Sequence, residues 1–192
     1  MTLLQSSTVN STSLSPTPIP WTQDATIDGQ ISDYHKVMST NLDGTFFCAC
    51  AAGEVWRRQA KEGTDSNGNE LRDYSYGSFV ATTSMSGHIV NIPQLQAAYN
   101  AAKAGLISVT GKSLAVEWVQ FARCNSISHG YMATEISDFI PQETKDIWKS
   151  KIPMGPEGEA QELKEAFPYL ASDASPYTIG TDIVVDGGYC LP

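Results

Sequence analysis

The sequence predicts an α/β fold, three layers of α/β/α built on a mostly parallel sheet that lacks its N-terminal strands. Two long stretches carry apolar residues at helical spacing, three short β-type runs alternate with helical segments, and the last run closes on Gly187 and Gly188. Strands that alternate with helices of this length need crossover connections, and crossovers place the strands parallel. A doubly wound sheet of this type has about six strands or more, so half of it is expected to be missing. With 192 residues, the chain suits one compact domain.

Met1 to about Pro20 is rich in Ser, Thr and Pro without hydrophobic period. It reads as part of a flexible arm over residues 1–27, with the catalytic portion over 28–192. From Ile31 to about Lys61 the apolar set Ile31, Tyr34, Val37, Met38, Leu42, Phe46, Ala49 and Val55 predicts one long helix, strained where Asn41 and Gly44 interrupt good helix formers. Lys61 to Gly77 is polar and turn-rich, a surface loop. Ser78 to Thr83 is the first strand. Gln96 to Phe121 predicts a second long helix whose small residues allow close approach of a neighbour. Arg123 to Ser128 is the second strand, stopped by Gly130. A loosely helical stretch covers Thr134 to Lys151, and a shorter helix with Pro168 near its end covers Glu159 to Ala171. The third strand lies within Ile179 to Asp186, where Asp182 and Asp186 read as residues that satisfy turns.

A formal charge of −9 disfavours polyanionic partners such as nucleic acid or an anionic membrane surface. No apolar run reaches the roughly 20 residues that span a bilayer, and no basic segment followed by an apolar one opens the chain. Cys48, Cys50, Cys124 and Cys190 lack metal-ligand spacing, so they read as reduced packing residues and the expected compartment is the cytoplasm.

Tyr99 and Lys103 stand four residues apart, which on a helix puts both side chains on one face. An ammonium beside a phenol favours the phenolate and should draw the Tyr99 pKa down toward the range of a working acid/base. The spacing alone is common. Its context is more specific: a β-run ending in Thr83 and Ser84 supplies hydroxyls fifteen residues upstream of Tyr99, where a donor can meet a developing oxyanion. Phenol, ammonium and hydroxyl also form a set able to move protons without hydride, so a cofactor-independent isomerase, dehydratase or cyclase is a second reading. A non-catalytic oligomerisation partner is a third.

The stretches SMSGHIVNIPQLQAAYNAAKAG, ARCNSISHGYMATEISDF, IPMG and YLASDASPYTIGTDIVVDGGY resemble the short-chain dehydrogenase/reductase family over roughly residues 28–190. They are most similar to its fungal NADP-dependent mannitol dehydrogenases and related sorbose or xylulose reductases. The resemblance implies a partial Rossmann-like fold, NADP(H) as cofactor, a small-molecule substrate of polyol or ketose type, and a homodimer or homotetramer formed through the two long helices. It makes Tyr99 the catalytic acid/base and Lys103 the residue that tunes it and holds the nicotinamide ribose. Ser84 polarises the carbonyl, with Ser86 close enough to serve instead. Asn41 is the helix amide that positions a water in the proton relay. Met132 and Thr134 hold the places that contact the nicotinamide carboxamide. His129 stands where the family has proline, as a loop residue or a further acid/base. Phe139, Ile140 and Trp148 fall in the segment that forms the family's mobile lid, and Phe139 and Trp148 are expected against substrate.

No glycine-rich turn precedes Asn41. Loss of a pyrophosphate cradle is expected to cost on the order of a thousandfold in cofactor affinity. It should also leave the strand at Ser78 to Thr83 with an uncovered apolar edge.

Overall fold

The computed structural model describes residues 26–72, 76–134, 137 and 140–191. Of the arm expected over residues 1–27, all but the last two residues lie outside the described residues.

The first helical stretch is two α-helices, α1 (Ile31–Met38) and α2 (Gly44–Glu62), joined by a π turn over Ser39–Asp43. The strain expected at Asn41 and Gly44 thus takes a definite form, a widened turn that lodges one extra residue. Side chains serve its carbonyls: Asn41 Nδ2 donates to the Val37 carbonyl at 3.0 Å, and the Thr45 hydroxyl donates to the Asn41 carbonyl at 3.2 Å. Helix α2 stops at Gly63, which takes the left-handed conformation. The polar segment that follows turns on Asp65, whose carboxylate accepts the Asn67 and Asn69 amides.

Strand β1 (Gly77–Thr82) comes next. Helices α3 (Ala97–Ser108) and α4 (Leu114–Glu117) follow, again joined by a π turn, Val109–Ser113, where one continuous helix was expected. In this second turn the buried Thr110 hydroxyl bonds back to the Leu106 carbonyl at 2.8 Å. Strand β2 (Ala122–His129) enters beside β1, and β5 (Asp182–Val185) beside β2, giving a parallel three-stranded sheet in the order β1-β2-β5.

Between β2 and β5 lie β3 (Met132–Ala133) and β4 (Gly158–Glu159), a small parallel pair that the sequence does not announce. Helix α5 occupies only Gln142–Lys151 of the stretch read as loosely helical. The helix expected over Glu159 to Ala171 is a 3-10 turn, Ala160–Leu163, and then α6 (Ala166–Ala171). Pro168 falls in the first turn of α6, where its missing N–H would have had no helical partner.

Alternation along the strands sorts the core into two faces. Phe79, Ala81, Ala122 and Cys124 pack against Ala49, Ala52 and Trp56 of α2, Leu106 of α3 and Leu114 of α4. On the opposite face Val80, Ile127, Ile183 and Val185 pack against Leu163, Phe167 and Leu170. Two helical layers therefore enclose the sheet, as the fold class requires. Gly53 lets α2 approach α4, since a Cβ there would lie 2.7 Å from the Trp118 ring. Arg123, 8% exposed, spans the second face and donates to the Leu170 and Ser172 carbonyls at the end of α6, both at 3.0 Å. Those carbonyls have no partner within the helix, and a planar guanidinium satisfies them together.

Strand β1 lies at the edge of the described sheet, yet Phe79 and Ala81 are both 0% exposed. The edge position is as expected, and the apolar side chains on both faces of the strand are covered. Helix α2 packs on one side of the strand, and α6 closes the other, where the Ser78 hydroxyl donates to the Leu170 carbonyl at 2.8 Å.

Candidate active site

The site is built at the carboxyl end of β1. The strand gives way to Thr83 and Ser84, and a single 3-10 turn, Met85–Gly87, leads to His88. Ser84 caps this turn: its Oγ accepts the Ser86 amide at 3.2 Å and its carbonyl accepts the Gly87 amide at 2.9 Å. The turn lies directly on α3. A Cβ on Gly87 would sit 2.9 Å from the Lys103 carbonyl carbon, so only glycine permits the approach.

That approach brings the Ser84 hydroxyl near the Tyr99 phenol, close enough to favour its ionised form. One helical turn further, the Lys103 ammonium lies 5.5 Å from the centre of the Tyr99 ring and donates to the Thr82 carbonyl at 3.2 Å. Tyr99 and Lys103 therefore share one helix face, as their spacing predicts, and the turn sets Ser84 beside Tyr99. Ser84 and Lys103 are 4% and 8% exposed, so their polar groups interact outside bulk water.

The electrostatics differ from the sequence argument. Burial pushes the Tyr99 phenol above its ordinary value, and the Ser84 hydroxyl offsets only part of this. Burial also lowers the Lys103 ammonium from 10.5 to about 8. The ammonium sits over the ring face and is directed to a carbonyl, so its expected pull on the phenol is not what dominates here. A lysine that titrates near neutrality can gain or release a proton at modest cost, which suits it to a relay.

Asn41 makes no direct bond to Ser84, Tyr99 or Lys103, and its amide donates to the Val37 carbonyl. The π turn that carries it nevertheless faces α3, where a Cβ on Gly105 would lie 3.4 Å from Leu42. Ser86 Oγ accepts from Gln96 Nε2 at 3.0 Å. This bond begins a chain: Gln96 Nε2 also reaches Asn91 Oδ1 at 3.0 Å, Asn91 Nδ2 donates to the Tyr131 hydroxyl at 3.3 Å, and that hydroxyl donates to Gln94 Oε1.

Tyr131 also stacks on Trp148 with ring centres 4.0 Å apart. Trp148, expected against substrate, is 1% exposed and has its ring face covered by Tyr131. Tyr131 is the residue the sequence reading missed. Its signal was weak, one aromatic in a glycine-flanked loop.

His129 ends β2, and its Nδ1 meets the Gly130 carbonyl at 2.8 Å. A carbonyl only accepts, so Nδ1 carries the hydrogen. Burial, with a smaller contribution from the Lys103 charge, holds the imidazole below its ordinary value, partly countered by the Gly130 bond. Met132 lies in β3 against Gly158, and Thr134 is exposed with its carbonyl accepting the Ser137 hydroxyl at 2.7 Å. Phe139 lies outside the described residues.

Asp182 does not satisfy a turn, as was expected of it. Its carboxylate accepts the hydroxyls of Thr83, Ser126 and Ser128 and the His88 imidazole. Asp186 does behave as expected, accepting the Gly188 and Cys190 amides at 2.8 Å each. Among the described residues, no helix is long and apolar enough to cross a membrane.

Lys103 has a single acceptor and two further N–H groups, so its ammonium could hold the hydroxyls of a cofactor ribose. No glycine-rich phosphate turn occurs among the described residues.

Comparison with known proteins extends this picture. A family model described as enoyl-(acyl carrier protein) reductase matches residues 7–190. The chain is 58% identical over 174 residues to an L-xylulose reductase of Hypocrea jecorina, covering 91% of this chain and 60% of that protein. It is 53% identical to a probable NADP-dependent mannitol dehydrogenase of Yarrowia lipolytica, covering 91% and 57% respectively. Among solved structures, a short-chain type dehydrogenase/reductase from Mycobacterium marinum superposes with a TM-score of 0.77 at 36% identity, over 88% of this chain and 61% of that one. The chain thus spans less than two thirds of the length of each of these proteins.

Proposed function

We propose, from the premise that this chain belongs to the short-chain dehydrogenase/reductase family, that it contributes the catalytic portion of an NADP(H)-dependent oxidoreductase. Its reaction interconverts a carbonyl and a secondary alcohol on a polyol or ketose. The observation that carries this reading is the meeting of Ser84, Tyr99 and Lys103 at the carboxyl end of a parallel sheet. The similarity to an L-xylulose reductase and to a mannitol dehydrogenase supports the substrate class.

In the reduction direction the Ser84 hydroxyl donates to the carbonyl oxygen, and Tyr99 Oη gives that oxygen its proton. A buried donor fixed before reaction stabilises the developing charge without reorganisation. Lys103 returns a proton to Tyr99 Oη, which its pKa of about 8 makes inexpensive. Asn41 would position a water behind Lys103. When bound, the cofactor supplies the hydride. Lys103 and Tyr99 would hold its ribose, and Met132 and Thr134 its carboxamide. Ser86, held by Gln96, would shape the substrate wall together with Tyr131, Trp148 and Phe139.

We further propose self-association through α2 and α3, supported by an exposed stripe on α2 in which Phe47 is 66% and Val55 is 42% exposed. Sedimentation of the purified chain checks it. The decisive experiment for the activity mixes the protein with NADPH and L-xylulose. The reading expects cofactor oxidation that Tyr99→Phe abolishes. Absence of both turnover and NADPH-induced thermal stabilisation would overturn it and favour cofactor-independent proton chemistry.

A further inference from the structure

The turn that carries Ser84 is tied at both ends to one carboxylate. Thr83 directly precedes Ser84, and its hydroxyl donates to Asp182 Oδ1 at 3.1 Å. His88 directly follows the turn, and its Nε2 lies 2.8 Å from Asp182 Oδ2. Two serines of β2 complete the shell, Ser126 on Oδ1 and Ser128 on Oδ2, the latter at 2.7 Å. The Thr83 and Ser128 hydroxyl oxygens also lie 2.8 Å apart, so one of them shares its single hydrogen between its neighbour and the carboxylate, and His88 Nε2 lies 3.1 Å from Ser128 Oγ. An ionised carboxylate only accepts, so Nε2 carries the hydrogen toward it.

Thr83, Ser126 and Ser128 are each 0% exposed. Packing does not demand this chemistry. On the same sheet face, two residues earlier on each strand, Ala81 and Cys124 fill the space without a charge, and buried ionic groups are commonly replaceable by apolar ones at no loss of stability. What the carboxylate adds is geometry. It connects the residue before Ser84, the residue closing its turn, and two adjacent strands, leaving the serine little freedom to shift relative to Tyr99.

We propose that Asp182, acting through Thr83 and His88, is the positioning residue for the Ser84 hydroxyl. This rests on the oxidoreductase reading for its catalytic consequence and on the structure alone for its geometric one. The test measures kcat and KM with NADPH and L-xylulose, together with amide hydrogen exchange at Ser86 and Gly87, both of which donate to Ser84. Asp182→Asn should lower kcat by about tenfold to a hundredfold with KM changed less than about threefold, the scale at which a small misplacement acts. Exchange at the two amides should accelerate by about tenfold or more. His88→Ala should reproduce both effects in milder form, and His88→Gln, whose amide nitrogen can take the place of Nε2, should restore them. A melting temperature lowered by Asp182→Asn with kcat and exchange unchanged would overturn the proposal, as would a His88→Gln protein no better than His88→Ala. If the unsubstituted chain shows no turnover, the oxidoreductase reading fails, and the exchange measurements still decide whether the turn is held by Asp182.

Discussion

One face of the sheet changes character halfway along its strands. At the amino end Phe79, Ala81, Ala122 and Cys124 pack dry against α2, α3 and α4. At the carboxyl end the same alternation brings Thr83, Ser126, Ser128 and Asp182 together, next to the turn that holds Ser84. The strands and the neighbouring helical layer are common to both halves, so the difference lies in side chains alone. The apolar half gains its stability from area removed from water, which tolerates small displacements. The polar half depends on directed bonds, which do not, and it is there that three reactive side chains converge.

Substitutions should separate the two halves. Phe79→Ala removes the largest side chain of the strand from a position that is 0% exposed, and should cost about 3–5 kcal/mol, read as a lowered denaturation midpoint. At the polar end Tyr99→Phe should change stability by less than about 1 kcal/mol while reducing turnover by about 10²–10⁴-fold. A Tyr99→Phe protein as unstable as Phe79→Ala would erase the distinction.

Lys103→Met sharpens the contrast, because here loss of function should accompany a gain in stability. The folded lysine has a pKa of about 8 against an ordinary 10.5, so between those values the unfolded chain binds more protons and stability rises with pH. Below pH 8 the full penalty of burying the charge applies. Lys103→Met should therefore stabilise the protein by about 1–2 kcal/mol at pH 7, after allowance for the Thr82 carbonyl it leaves unpaired. The gain should shrink as the pH rises through 8 toward 10.5.

The smallest effect is expected at His129, which burial holds below its ordinary pKa. Below pH 6.5 the unfolded chain takes up a proton that the folded imidazole resists, so this residue subtracts stability as the pH falls. Thermal melts from pH 7 to pH 5 should show a shallower decline in His129→Gln than in the unsubstituted chain.

The sequence revealed the sheet and the central pair because both are local signals. Short β-type runs bounded by turn residues marked β1, β2 and β5, and the i, i+4 interval placed Lys103 one turn from Tyr99. Asp182 escaped because it meets Thr83 and His88 across about a hundred residues of chain, where no local interval is involved. The β3–β4 pair escaped because two residues per strand are too few to show alternation. The stack of Trp148 on Tyr131 was not legible, since the spacing of α5 shows which residues share a face and only the fold shows what packs against it. The raised Tyr99 pKa depends on how deeply the ring is enclosed, a quantity set by every neighbouring element at once.

The π turn at Ser39–Asp43 has a genetic consequence. A widened turn is equivalent to a single-codon insertion in a regular helix, and each residue of an α-helix advances its side chains by about 100°. Because the turn already absorbs that residue, excision of Thr40 alone should let it relax to ordinary α geometry with α1 still presenting the same face. Val37 would stay buried, so this stretch of the open reading frame should tolerate a one-codon deletion far better than the regular helix of α2, where the same loss would turn every preceding side chain by about 100°.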